Sequence, residues 1–422
     1  MQQTMLQNWA GNLTYSTQHL HRPDSVPAVQ QLVKELPHLR VLGTRHCFNN
    51  IADSTENLVS LEQMNQVIAL DRDAGTVTVG GGINYGQLCT YLHTNGFALH
   101  NLASLPHIAV AGACATATHG SGSGNGNLAT AVAALEMVTA SGETVTLSRE
   151  KDGHRFYGTV VGLGGAGVIT QLTLDIIPSF SIQQNLYEHL PFTQLESRLE
   201  TIFSSAYSVS LFTDWKSRTF NQVWLKQRVE NGTQLEMPDR FFGAVPATEA
   251  LHPIGGLSAA HCTEQLGVPG PWHERLPHFR MNFTPSSGEE LQSEYFVSLD
   301  DGYDALLAID QIREHIAPLL LISEIRTIDA DLFWISPCYK QPSLAIHFTW
   351  QRNWPAVQQV LPLIEAQLAP FRARPHWGKL FTMAPERIAG LYSKLPAFRQ
   401  LLQEYDPEGK FRNAFMNKYI FL

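Results

Sequence analysis

Apolar positions along the first half of the chain change period several times. Val26, Val29, Leu32, Val33 and Leu36 recur at helical spacing behind Asp24-Ser25, a capping pair, with Pro27 tolerated in the first turn. A short apolar strand over residues 40–42 follows. Residues 67–70 and 76–79 are two further short strands flanking Asp71-Arg72-Asp73-Ala74-Gly75, and Gly80-Gly81-Gly82 ends the hairpin. The spacing predicts a helix over about 85–95, with Leu88 and Leu92 on one face and Gly96 as its stop. Residues 131–139 and 144–147 flank Ala140-Ser141-Gly142-Glu143 as a second hairpin, and 169–176 alternate as a strand. Hairpins in place of repeated βαβ units predict an α+β class and argue against a doubly wound sheet.

Two stretches lack such periodicity and draw attention to chemistry. Gly43-Thr44-Arg45-His46-Cys47-Phe48-Asn49-Asn50 follows the strand at 40–42. A glycine after a buried strand lets the backbone turn tightly and show successive N–H groups to an anion. From 109 to 122 nearly every residue is small, which predicts a helix that either packs tightly on a sheet or lets a planar ligand approach its backbone. Two glycine patterns do not qualify as nucleotide loops. Gly162-Leu163-Gly164-Gly165-Ala166-Gly167 leads into a strand where a dinucleotide fingerprint must open a helix. Gly120-Ser121-Gly122-Ser123-Gly124-Asn125-Gly126 lacks the Gly-Lys-Ser/Thr ending of an ATPase loop.

In the second half, polar groups fall at period two inside apolar strands. Glu324 and Arg326 share one face of 321–327. His347 and Thr349 share one face of 345–350, with Ile346, Phe348 and Trp350 on the other. This pattern suits a pocket-lining strand, and equally a half-exposed sheet with an idle surface ion pair. Arg374-Pro375-His376-Trp377-Gly378-Lys379 is a compact stretch ending in a cation.

The bulk numbers narrow the class. A chain of 422 residues exceeds one ordinary core, so two or more domains are expected. With 44% hydrophobic and 16% charged residues it is a globular chain, and a formal net charge of -9 argues against a nucleic-acid partner. The start, Met1-Gln2-Gln3-Thr4-Met5-Leu6-Gln7, has no basic region and no apolar core, so no signal peptide is expected. No apolar run is long enough for a membrane span. The five cysteines are scattered without a CxxC pair, which indicates neither a metal site nor a disulfide framework, and fits a reducing, cytoplasmic setting.

Together, the Gly-x-x-His loop at 43–46, the Gly-Gly-Gly hairpin end, the Ala-Thr-Ala-Thr-His-Gly run at 115–120 and the strand end at 164–174 resemble flavoproteins of the vanillyl-alcohol oxidase (p-cresol methylhydroxylase) superfamily. Within it the chain is most similar to alditol (xylitol) oxidases, relatives of the sugar-1,4-lactone oxidases. The likeness covers almost the whole chain, including Asn8-Trp9-Ala10-Gly11-Asn12 and residues 267–275. The resemblance implies a two-domain VAO/PCMH-type fold. An FAD-binding domain would span 1–177, an inserted α+β substrate cap 178–374, and a C-terminal segment 375–422 would return to the FAD domain.

The resemblance further implies FAD linked covalently through His46. Gly43, Thr44, Arg45, His46, Cys47, Phe48, Ser104, Ala109, Gly112, Thr116, Ala117, Thr118, His119 and Ile169 would line the cofactor. Ser104, Glu324, Arg326, His347, Thr349 and Lys379 match polyol-binding positions, with Lys379, Arg326, Glu324 and His347 also catalytic. Arg45 and Cys47 stand where the family's loop commonly has Gly and Ser. Ala109 and Ala117 stand where relatives often have Ser and Gly. Arg45 would pair with phosphate or point to solvent. The implied reaction oxidises the C1 hydroxyl of an acyclic polyol such as xylitol or sorbitol, by hydride transfer to flavin N5. O2 would be reduced to H2O2. Arg326 and Lys379 would stabilise the alkoxide, and His347 or Glu324 would take the proton. No partner beyond polyol and O2 is expected, and the chain would be a monomer. The alternatives are a sugar-lactone oxidase or dehydrogenase on the same fold, and a flavin- or sugar-binding protein that has lost its chemistry.

Overall fold

The period-two segments before residue 180 pair into a five-stranded antiparallel sheet. Strands β1 (Val67–Asp71), β2 (Thr76–Gly80), β3 (Val132–Val138), β4 (Thr144–Ser148) and β5 (Val168–Asp175) stand in the order β1-β2-β5-β3-β4. The computed structural model describes residues 5–230, 235–281 and 289–422; residues 1–4 of the start segment lie outside it. On β5, Val168, Thr170, Leu172 and Leu174 are buried and the residues between them half-buried, as its alternation predicts. The glycine pattern at 162–167 therefore opens a strand and not a helix. The glycine run Gly80-Gly81-Gly82 that ends β2 is required by space. A Cβ at Gly81 would sit 2.1 Å from the Ile169 carbonyl oxygen, and one at Gly82 would sit 1.7 Å from that of Leu61.

A small parallel sheet carries the histidine loop. Leu58–Val59 lies between Leu20–His21 and Arg40–Val41. Helix α1 (Val26–Glu35) buries Val29 and Val33 nearby. Ser25 is its N-cap by backbone conformation, but its hydroxyl donates to Asp24 and makes no cap bond. Helix α2 (Tyr85–Thr94) has a full capping box from Asn84 and Gln87. The small-residue run is less helical than its composition predicts: α3 covers only Val110–Ala115. Ala117 adopts a left-handed φ of 53°, which ends the helix.

The later strands form one nine-stranded sheet. Its main members are β6 (Ser181–Pro191), β7 (Ser208–Thr213), β8 (Thr219–Val229), β9 (Glu290–Ser298), β10 (Leu320–Ile328) and β11 (Ser343–Gln351). They stand in the order β6-β8-β7-β10-β11-β9, with Val245–Pro246 and Arg374–Pro375 at the edges and Gly270–Pro271 against β6. Ile346, Phe348 and Trp350 are fully buried, and the last two rings stack at 5.2 Å. The opposite face carries Glu324, Arg326, His347 and Thr349, also buried. This overturns the half-exposed alternative for these strands. The loop after α3 is stitched to the end of β10 by Gly122 N to Thr327 O (2.9 Å) and Asn127 Nδ2 to Asp331 Oδ2 (2.7 Å).

The chain end returns to the start. Asn413 Nδ2 donates to the carbonyls of Asn50, Ile51 and Asp53, and Lys410 donates to those of Val33 and Leu36. Buried Arg40 completes the knot, donating to the carbonyls of Ile51, Leu163, Gly164 and Phe411 at 2.5–3.0 Å. Those four carbonyls come from three distant stretches of chain, so one side chain ties them together. Arg40→Met leaves them unpaired in the interior. A loss of at least about 3 kcal/mol of unfolding free energy is expected, read as a lower urea midpoint at unchanged slope.

Candidate active site

Strand register builds the centre of the site. β11 lies between β10 and β9, and His347 stands opposite Glu324 on one side and Glu294 on the other. Residues paired across a sheet share a face, so three ionisable side chains form a row, and period two adds Arg326 and Thr349. Lys379 arrives from the chain after the last edge strand. Its Nζ lies 2.7 Å from Glu294 Oε2 and 2.8 Å from His347 Nδ1. Arg326 Nη2 donates to Glu294 Oε1 at 2.7 Å, and His347 Nε2 meets Thr349 Oγ1 at 3.0 Å. His119 Nε2 lies 3.3 Å from Glu294 Oε1. On the far side, Glu324 Oε1 takes a bond from His278 Nε2 at 2.8 Å and lies 3.6 Å from Arg326 Nε.

Burial and charge set the protonation states. Burial opposes ionisation of Glu294, but Lys379, His119 and Arg326 outweigh it and hold the carboxyl well below the usual range. Burial lowers the pKa of Lys379, and Glu294 opposes that fall. Burial and the adjacent ammonium push His347 well below the usual imidazole value, so its ring is neutral. An ammonium only donates, so Nδ1 of His347 accepts from Lys379 and its Nε2–H donates to Thr349. Glu324 is likewise a carboxylate: burial would raise its pKa, but Arg326 and His278 hold it low. Arg326 Nε is buried and makes no hydrogen bond, its contact with Glu324 Oε1 being an ion pair at 3.6 Å. A ligand oxygen there would satisfy it, and Glu324 Oε2 lies on the same carboxylate.

The histidine loop is clamped to the Lys379 turn. Phe48 N donates to Gly378 O, and Asn49 Nδ2 donates to the carbonyls of Trp377 and Lys379, each at 2.8 Å. Thr44 Oγ1 accepts from Ala109 N at 3.0 Å and meets His46 Nδ1 at 3.1 Å. The His46 ring stacks on Trp9 at 5.3 Å and lies 4.6 Å from His107. Burial, reinforced by His107, pushes the His46 pKa down to about 3. It is therefore a neutral imidazole, and its Nε2 is buried without a partner, as are both ring nitrogens of His107. Gly43 and Gly112 have only the Ala109 methyl within 4 Å of where their own Cβ would be. A strip of small residues beside unpartnered imidazole nitrogens fits a flat cofactor such as FAD.

Not every expected residue faces that strip. Thr116 Oγ1 bonds the Gly112 carbonyl and the Thr118 hydroxyl, so both side chains serve the turn itself. His119 sits beside Glu294 in the polar row. The backbone of Ile169 packs against Gly81. Ser104 is joined to the pocket side by its carbonyl, which accepts from Phe279 N at 3.4 Å, beside His278. Arg45 takes a left-handed φ of 64°, and its guanidinium reaches the Gln7 carbonyl at 3.2 Å. The Cys47 sulfur packs against Gly378, and burial raises its thiol to about 11.

Sequence patterns missed Glu294, His278 and Lys226. Glu290, Gln292 and Glu294 alternate with Leu291, Ser293 and Tyr295, the same signal that picked out β10 and β11. His278 lies in a loop without periodicity, and only the fold brings it to Glu324. Glu294→Gln removes the carboxylate that Arg326 and Lys379 share. Stability is expected to fall by about 3–5 kcal/mol in urea titrations. Because Glu294 raises the pKa of Lys379, the alkaline limb of the pH–activity profile is expected to move to lower pH.

Comparisons with known proteins agree with this arrangement. A family model described as FAD binding domain matches residues 17–148, and one described as D-arabinono-1,4-lactone oxidase matches residues 286–419. The chain is 46% identical to an alditol oxidase from a Streptomyces species over 98% of both chains. It is 24% identical to an L-gulonolactone oxidase from Scyliorhinus torazame, over 98% of both. Among solved structures, a cholesterol oxidase from Brevibacterium sterolicum superposes with a TM-score of 0.76 at 15% identity, covering 99% of this chain and 97% of the other. At that identity the likeness shows the fold alone. With these matches and a buried polar row beside a histidine loop, the chain belongs to the alditol oxidase family of FAD-binding oxidoreductases.

Proposed function

We propose that the protein oxidises the terminal hydroxyl of an acyclic polyol, such as xylitol or sorbitol, to the aldose, with O2 reduced to H2O2. The observation that carries this is the row Glu324–Arg326–Glu294–Lys379–His347–Thr349: donors and acceptors in quantity, buried except for the half-buried Lys379. A polyol meets many such groups, and a ligand lacking a hydroxyl leaves one unpaired. FAD, when bound, supplies the two-electron acceptor for the carbon-bound hydrogen. We place it on Gly43, Thr44, Arg45, His46, Cys47, Phe48, Ala109 and Gly112, with the covalent bond at His46. The 46% identity to an alditol oxidase supports the substrate class.

In this proposal Arg326 Nε and Glu324 Oε2 bind substrate hydroxyls, joined by Thr349 and Ser104. Arg326 and Lys379 stabilise the forming alkoxide. Neither proton acceptor is strongly basic, because Glu324 is held as a weakly basic carboxylate and His347 is held neutral by burial and Lys379. The cations therefore drive the loss of the hydroxyl proton as the carbon-bound hydrogen leaves, and it passes to Glu324 Oε2 or, in exchange for the Lys379 bond, to His347 Nδ1. The strands support a division into a cofactor unit over 1–177, a substrate unit over 178–374 and a returning segment over 375–422. A monomer in a reducing, cytoplasmic setting is part of the proposal; five free thiols, four of them buried, support the reducing setting. The second reading, a sugar-1,4-lactone oxidase or dehydrogenase, draws on the lactone-oxidase model match over 286–419.

Acid precipitation followed by anaerobic substrate addition separates these readings. Yellow colour that stays in the pellet, and holoprotein bleached by xylitol, is the expected result. Bleaching by gulono-1,4-lactone alone selects the second reading. His46→Ala is expected to release the colour into the acid supernatant. Lys379→Met is expected to slow flavin reduction by about a hundredfold or more, with an unchanged thermal midpoint to within a few degrees.

A further inference from the structure

Behind the polar row lies a second buried chain of bonds that the proposed chemistry does not use. Lys226, on β8, is 1% exposed, and among the described residues no carboxylate lies within ion-pair distance of it. Its Nζ faces three acceptors: the carbonyl oxygens of Leu276 at 2.5 Å and Pro277 at 3.3 Å, and His278 Nδ1 at 3.2 Å. An ammonium has three N–H groups, so each acceptor takes one. His278 Nδ1 then holds a lone pair, and its proton sits on Nε2, aimed at Glu324 Oε1. The ring is held edge-on by Trp224 and Phe212, with centroids at 5.1 and 5.7 Å. Glu324 is thereby fixed in rotation, with one oxygen used and the other left for a ligand.

We propose that Lys226 and His278 are positioning residues for substrate binding: Lys226 sets the tautomer of His278, and His278 aims Glu324 at a substrate hydroxyl. The loop they hold also reaches the cofactor side, since Phe279 N donates to the Ser104 carbonyl. Lys226 thus pins a wall that runs from Glu324 to Ser104. The groups facing Lys226 are Glu324 and Arg326 from β10, Cys262 and His278 from the loop, and the Trp224 ring of its own strand at 5.9 Å. Burial brings its ammonium down to about 7, with Glu324 and Cys262 opposing and Arg326 assisting. Below that pH all three donors are present. As pH rises through it, one donor becomes a lone pair, His278 is free to change tautomer, and Glu324 loses its bond. Substrate affinity is therefore lost on the alkaline side, while Lys379, which serves the chemistry, is a separate titration.

The inference rests on Glu324 binding substrate, as proposed above. Reduction of the wild-type flavin by xylitol or by gulono-1,4-lactone tests that reading, and whichever compound reduces it serves as the probe here. The experiment is anaerobic stopped-flow reduction of the holoprotein from pH 6 to 9, which separates substrate Kd from the limiting reduction rate. In the wild type, Kd is expected to be flat below pH 7 and to rise about tenfold by pH 9. In Lys226→Met it should be about tenfold weaker at every pH and flat, with the limiting rate within about threefold of wild type. His278→Phe keeps the packing and loses the donor, so it should match Lys226→Met; His278→Gln restores a donor and should recover part of the affinity. Should Lys226→Met fail to retain FAD, the two His278 variants decide. Wild-type Kd and pH profile in these variants, or a loss confined to the limiting rate, overturns the proposal.

Discussion

The constraint on which the site depends is a single buried carboxylate held between two cations. Glu294 is 1% exposed and accepts from both Arg326 and Lys379. Without it, a guanidinium and an ammonium would share a dry interior with only Glu324 nearby, and burial would drive Lys379 towards its neutral form. With it, both cations stay charged at the place where negative charge is proposed to develop. The geometry is inexpensive to maintain because it is cross-strand: Glu294, His347 and Glu324 are register partners in adjacent strands, so the sheet itself sets their spacing.

The same logic ties the cofactor side to the substrate side. The His46 loop and the Lys379 turn exchange three main-chain-directed bonds, so neither element can shift without the other. Arg40, Lys410 and Asn413 then close the chain end onto the loop's base by donating to main-chain carbonyls there. A residue at position 46 and one at 379 are thereby held as one unit, although they are far apart in sequence and supported by different sheets.

Two positions at which the resemblance leads to an expectation of glycine carry a local cost that the fold tolerates. Arg45 and Ala117 both adopt left-handed backbone, at φ 64° and 53°. Each non-glycine residue in that region costs about 1–2 kcal/mol. Arg45 turns its guanidinium to the Gln7 carbonyl, and the Cys47 sulfur fills the space beside Gly378.

Periodicity and spacing determined the strands and the two hairpins of the first sheet, the strands β10 and β11, that the glycine pattern before β5 is not a nucleotide loop, and that Glu324 and Arg326 share a face, as do His347 and Thr349. Those are local consequences of side-chain alternation and backbone sterics, and they are written in short stretches of chain. Motif order pointed to the family, which the comparisons then showed. Alternation alone left open whether the polar face was wet or buried, because a period of two is the same in both cases; the packing of other segments over the sheet decided it. The small-residue run was expected to be one long helix and is six residues of helix followed by turns, because Thr116, Thr118 and the left-handed Ala117 take up the backbone's bonds there. Glu294 was legible in the alternation of β9 but has no weight until register sets it opposite His347. His278 and Lys226 carry no pattern at all. The chain of bonds from Lys226 through His278 to Glu324 exists only because a loop is folded across the sheet, and contacts between residues distant in sequence are fixed by tertiary packing and by nothing shorter in range.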